Sequence, residues 1–157
     1  MTEKTESLDR MVAPTAGPDE DAYELEEQIG HILRRVHQRA SAIFAGGIGP
    51  SQLTPTQFAA LVKILDEGSV SQNQLGRLTA MDPATMQGVV GRLLTRGLVT
   101  RRADPDDKRR MLFQLTEAGR RTIAEAIPSG ARITRDTLAP LTLDEQKTVL
   151  RLLKKLR

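Results

Sequence analysis

The chain has no cysteine among its 157 residues. That excludes a thiol nucleophile, a thiol-based redox sensor and any cysteine-ligated zinc site, and it fits a reducing compartment without requiring one. Histidine is almost as scarce. His31 and His37 are the two present, six residues apart, which on one helix puts them about 120° from each other and off any shared metal site. There is no Gly-x-Ser-x-Gly and no Ser–His–Asp set, so a hydrolase or transferase would lack its nucleophile and base. Neither an enzyme nor a metal or cofactor is expected. No run approaches the roughly 20 apolar residues of a membrane helix. The first ten residues are polar, unlike the apolar core of a signal peptide. The expectation is a soluble, cytoplasmic protein with no membrane partner.

What is present begins with charge. Residues 1–27 carry nine acids against Lys4 and Arg10, a net of −7, so the formal +3 of the whole chain hides +10 over residues 28–157. A basic body of this kind suits a polyanionic partner; an arginine-rich surface without such a partner is the alternative. The length allows one compact domain plus a tail. Residues 1–20, with Pro14, Gly17 and Pro18 and no sustained period, read as a disordered acidic tail.

Helical periods dominate the remainder. Leu25, Ile29, Ile32, Leu33, Val36, Ala40, Ile43 and Phe44 form one stripe of a long amphipathic helix over Asp21–Phe44, ended by Gly46, Gly47, Gly49 and Pro50. Thr54, Pro55 and Gln57 supply an N-cap, a first-turn proline and a capping box for a second helix that buries Phe58, Leu61, Val62 and Leu65. Ser71 with Gln74 opens a short helix to Leu78. Asp82 with Pro83 opens another that runs to Arg96 and buries Met86, Val89, Val90, Leu93 and Leu94.

The period then changes to two, giving strands over Leu98–Arg102 and Arg110–Leu115, with a polar turn between them. Thr116 caps a fifth helix toward Leu138, with a break suggested at Pro128–Gly130. Thr142 and Glu145 cap a last one. The fold class is mainly α. It is a winged helix-turn-helix over 51–116, with a helical dimerisation region from the N- and C-terminal helices (21–50 and 117–157).

In a winged helix-turn-helix the first short helix braces the second, whose exposed face enters the major groove of duplex DNA. That face here holds Ala84, Thr85, Gln87, Gly88, Gly91, Arg92 and Thr95. Gln87 can pair bidentately with adenine, whereas Arg92 and Arg96 lie where phosphates are the nearer partners. Glycines inside an exposed helix cost about 1 kcal/mol each relative to alanine. Either a ligand approaches Gly88 and Gly91 closely, or another helix packs there. The hairpin tip mixes Lys108, Arg109 and Arg110 with Asp104, Asp106 and Asp107. It is a solvated turn or a wing whose arginine enters a minor groove.

The runs Leu53-Thr54-Pro55-Thr56-Gln57-Phe58 and Ser71-Gln72-Asn73-Gln74-Leu75 resemble the MarR family of bacterial transcription regulators. So does Asp104-Pro105-Asp106-Asp107-Lys108-Arg109-Arg110 running into Gln114-Leu115-Thr116-Glu117-Ala118-Gly119. The similarity covers about residues 22–157. It implies a homodimeric repressor on a pseudo-palindromic operator in double-stranded DNA, with an Asp107–Arg109 wing pair. The recognition contacts would fall on Pro83, Ala84, Thr85, Gln87 and Arg92. The full contact set expected is Ser71, Gln72, Asn73, Pro83, Ala84, Thr85, Gln87, Gly88, Arg92, Asp107, Lys108, Arg109 and Arg110. Gly91 departs from the family pattern, which has an acid before the arginine. A winged-helix protein-interaction module is the alternative, but it would be expected to lose the basic wing and the polar recognition face.

The resemblance further implies release from DNA by a small anionic or aromatic ligand. His37 and Arg39 lie about 80° to either side of the first helix's apolar stripe, at the edge of the buried face, and Arg34 lies nearly opposite it. These three are the effector candidates, with plain surface residues as the alternative for each. The run Leu33-Arg34-Arg35-Val36-His37-Gln38-Arg39 resembles regulators of aromatic-acid catabolism, which implies an aromatic carboxylate or its coenzyme A thioester as effector.

Overall fold

The computed structural model describes residues 23–157; the acidic tail expected over 1–20 lies outside them. Contacts divide the chain into a first unit ending at Arg34 and a second, Arg35–Arg157. The element order is a 3-10 turn (Leu25–Glu27), α1 (Ile29–Gly47), a 3-10 turn (Gly49–Ser51), α2 (Pro55–Glu67), β1 (Val70–Ser71), α3 (Gln72–Thr79), α4 (Pro83–Thr95), β2 (Val99–Ala103), β3 (Met111–Leu115), α5 (Glu117–Leu138) and α6 (Leu143–Leu153).

The caps fall where polar side chains can satisfy orphan backbone N–H groups. Thr54 and Gln57 form a reciprocal capping box, as do Thr142 and Glu145. Ser71, Asp82 and Thr116 accept from the backbone N–H of Gln74, Thr85 and Gly119. The first helix starts later than its apolar period suggests, because a 3-10 turn occupies Leu25–Glu27. It also runs through Gly46 and Gly47. A Cβ on Gly47 would lie 2.9 Å from Ile133 Cγ1, so glycine there admits α5. The suggested break in α5 is absent, and the helix continues through Pro128. Ile123 and Ala126 are buried before the proline and Ile133 after it, so packing holds both halves despite the lost hydrogen bond.

The strands make one antiparallel sheet in the order β1-β3-β2. Val99 pairs with Leu115, Arg101 with Phe113 and Arg102 with Leu112, while Val70 of β1 pairs with Phe113 from the other side. Leu61, Ile64, Val70, Leu75, Met86, Val89, Leu93 and Ile123 are fully buried. Each contributes roughly 1.5–3 kcal/mol of transfer free energy. Phe58 meets Phe44 edge to face with ring centroids 5.7 Å apart. A Cβ on Gly130 would approach its ring to 2.7 Å. This core fixes α4 and the hairpin relative to α2, α3 and α5.

Candidate nucleic-acid interface

Helix α4 presents Pro83, Ala84, Thr85, Gln87, Gly91, Arg92 and Thr95 on its exposed side, with Gly88 half-buried among them. No acid lies within the helix. Its cap, Asp82, accepts from the Thr85 hydroxyl at 2.6 Å and from the Thr85 backbone N–H at 2.9 Å. The Thr85 hydroxyl, followed by its N–H, holds the Asp82 carboxyl below the usual carboxylate range. Thr85 thus spends its hydroxyl hydrogen on the cap and faces outward as an acceptor. The turn into α4 is closed by Ala80 in the left-handed region (φ 53°), with its N–H bonded to Arg77 and Gly76 carbonyls.

Among the described residues, the two glycines of this face have no packing partner to explain them. A Cβ on Gly91 would meet nothing within 4 Å, and one on Gly88 would meet only the mobile end of Arg92, 3.6 Å away at Nη2. Helix–helix packing is therefore not their cause. Arg92 folds back over Gly88, a position that Gly91, in place of an acid, leaves free of any ion pair from its neighbour. Arg96 is placed differently from the phosphate-facing position expected. It donates to Ser51 O at 2.7 Å and to Gln57 Oε1 at 3.3 Å, bracing α4 against α2.

At the wing, Asp104 N–H donates to Arg110 O, and Arg110 N–H donates to Asp107 O at 2.8 Å. Asp107 acts as a turn former, its Oδ1 accepting from the Arg109 backbone N–H at 3.0 Å. The expected side-chain pairing of Asp107 with Arg109 is not among the ion pairs of the described residues. The aspartate steadies the backbone and leaves the guanidinium free. Arg110 is tied inward instead, to the Ser71 hydroxyl at 3.1 Å and the buried Asp104 carboxylate at 3.8 Å. Ser71 is only 6% exposed. These two expected contact residues join the wing to the start of α3.

Between α3 and the wing lies an open groove of about 570 Å³. It brings together Ser71, Gln72, Asn73, Asp107, Arg109 and Arg110 of the expected set, and adds Arg77 and Arg101, which the sequence reading missed. Strand alternation held the signal for Arg101, since it stands on the Val99 face. Lys108 is exposed at the tip, outside this lining.

A second concavity, a cleft of about 360 Å³, opens between α1, α5 and α6. Its walls are mostly apolar (Val36, Phe44, Ile133, Leu138, Leu150, Leu153), with His37, Ser41, Thr134 and Thr137 as polar groups. His37 is the one effector candidate it contains. Arg39 is bonded to the Asp136 carbonyl at 3.3 Å and does not line the cleft, and Arg34, in the first unit, is exposed.

A model of the MarR family matches residues 51–110. The HTH-type transcriptional repressor NicR of Pseudomonas putida is 37% identical over 150 residues, 95% of either chain. A probable transcriptional regulator from Pseudomonas aeruginosa is 54% identical, with a TM-score of 0.82 over 85% of this chain and 100% of its own. BpsR of Bordetella bronchiseptica, whose DNA binding is regulated by 6-hydroxynicotinic acid, is 39% identical. It aligns with a TM-score of 0.82 over 86% of this chain and 96% of its own. By this shared sequence and fold, the chain belongs to the MarR family of transcriptional regulators.

Proposed function

We propose that the chain is a cytoplasmic, homodimeric repressor that binds a pseudo-palindromic DNA operator and is released by a small aromatic acid. The observation that carries the reading is the exposed face of α4, free of acids, with Gly91 open and Gly88 covered only by Arg92, beside a wing whose Arg109 makes no ion pair among the described residues. Pro83, Ala84, Thr85, Gln87, Gly88 and Arg92 enter the major groove. Lys108 and Arg109 reach the minor groove, and Gln72 and Asn73 flank the backbone. Asp107, Ser71 and Arg110 shape the wing from behind. Residues 51–116 form the DNA-binding part. Residues 21–50 and 117–157 form the dimer region, which sets the two recognition helices about 34 Å apart.

The cleft supports the effector class. Its volume lies within the range of small-ligand pockets. It is large enough for one ring with a carboxylate. His37, Ser41, Thr134 and Thr137 supply hydrogen bonds around apolar walls, and the ligand of BpsR is of this chemical kind. The DNA assignment is tested by gel shift on the region upstream of the chain's own gene. Arg109→Ala weakens binding at least tenfold while the circular dichroism spectrum stays the same. Unaltered affinity sinks the wing assignment.

A further inference from the structure

We infer that the groove between α3 and the wing is a seat for the DNA sugar-phosphate backbone, with Arg77 and Arg101 as its phosphate contacts. The inference rests on the DNA-binding reading above and assigns two residues outside both the recognition helix and the wing tip.

Among the described residues, four arginines line this groove (Arg77, Arg101, Arg109, Arg110) against one carboxylate, Asp107. Their partners are already accounted for. Arg110 is held by Asp104 and Ser71, and Asp107 has one oxygen on the Arg109 backbone N–H. Arg77, Arg101 and Arg109 make no ion pair within 4 Å among the described residues. Like charges gathered along one groove repel each other. An external anion relieves that repulsion, and a guanidinium fork matches a phosphate in geometry as well as charge.

Register decides which strand arginine takes part. Directly paired residues of an antiparallel ladder point to the same side, and successive residues to opposite sides. Arg101 pairs with Phe113, and Ala103 with Met111. Phe113 and Met111 line the groove, and so does Arg101. Arg102 pairs with Leu112, on the other face of the sheet. The two neighbouring arginines carry the same charge and are both exposed, yet only Arg101 faces the groove. Arg77 closes the seat from α3. A strand crossing here would run between the major-groove helix and the minor-groove wing, where the backbone is the part of the duplex within reach.

Arg102 makes the test internally controlled. Binding of the full-length protein is measured against salt concentration on two duplexes, the region upstream of its own gene and a random sequence of equal length. Arg101→Ala and Arg77→Ala each reduce the slope of log affinity against log salt by about one phosphate contact. Each weakens both duplexes by the same factor, because a phosphate contact carries no sequence information. Arg102→Ala, with the same loss of charge, leaves slope and affinity at wild-type values. Arg101→Lys retains the slope, which excludes misfolding as the cause. Arg101→Ala behaving like Arg102→Ala overturns the seat, as does a loss confined to the upstream duplex. If Arg109→Ala is defective while Arg101→Ala is not, the DNA reading stands and the seat alone falls. If the wild type binds neither duplex, both fall together.

Discussion

Glycines in this chain show how one residue type carries opposite meanings at single-residue scale. Gly119 sits where α5 meets the end of the recognition unit, and a Cβ there would overlap the Leu98 carbonyl. Gly119→Ala is therefore destabilising by about 1–3 kcal/mol, the usual cost of forced overpacking. Gly91 faces empty space in the middle of α4. Gly91→Ala raises stability by about 1 kcal/mol through helix propensity and lowers operator affinity by blocking close approach. Urea denaturation and gel shifts read both effects; a Gly91→Ala protein with wild-type affinity removes the close-approach account. The sequence exposed the cost of Gly88 and Gly91 but left two causes open, because only the neighbours in space tell them apart. Ala80 was illegible for a related reason, since nothing local marks an alanine that must adopt φ 53°. Asp82 was legible as a cap, and its lowered pKa has a sign. The folded value lies below the unfolded one. The stabilisation is complete above the ordinary aspartate range, near 3.9, and is lost as pH falls through the folded value. Asp82→Asn keeps the cap without this titration. Its melting temperature should decline less than that of the wild type on acidification, and parallel decline would refute the assignment.

At the scale of elements, caps and periods located the six α-helices of the described residues and the β2–β3 hairpin, because each rests on interactions within a few residues. β1 was missed because two residues cannot display a period, and its pairing with β3 is contributed entirely by a distant strand. The larger surprise concerns the apolar stripe of the first helix. Ile29, Ile32, Leu33 and Val36 are all at least 40% exposed, and Leu152 and Leu156 of the C-terminal region are exposed as well. A helical period reports that a face is apolar; it does not say which molecule covers it. The proposed dimer supplies that cover. Leu152→Glu combined with Leu156→Glu should shift the protein to a monomer in sedimentation velocity. The helix-turn-helix core would remain folded and operator affinity would fall, since a monomer holds one half-site. A dimer that survives both charges would place the interface elsewhere.

For the whole molecule, the sequence displayed output far better than input. Charge asymmetry, helix-turn-helix spacing and wing chemistry all lie in short runs, and the structure gathers six of the thirteen expected DNA residues around one groove, with six more on α4. The cleft is assembled from α1, α5 and α6, so its polar set of His37, Ser41, Thr134 and Thr137 spans nearly a hundred positions. No spacing rule could collect it, and helix position alone did not separate His37, which lines the cleft, from Arg39, which does not. Linkage makes the cleft testable. A ligand that prefers the unbound protein raises its melting temperature and weakens DNA binding, and DNA weakens ligand binding by the same factor. Thermal shifts with 6-hydroxynicotinic acid, related aromatic acids and their coenzyme A thioesters should favour the free acids. Stabilisation by thioesters alone would contradict the free-acid reading. Helix α5 gives this coupling a mechanical scale. Its 22 residues make a shaft about 33 Å long, with Ile133 and Thr137 in the cleft at one end and Gly119 seated on the Leu98 carbonyl at the other. Pivoting at the cleft end by about 5° carries the far end of such a shaft through about 3 Å. That is close to the axial rise from one phosphate of a strand to the next, about 3.4 Å. A tilt of that size at the cleft end would put the wing out of step with the duplex.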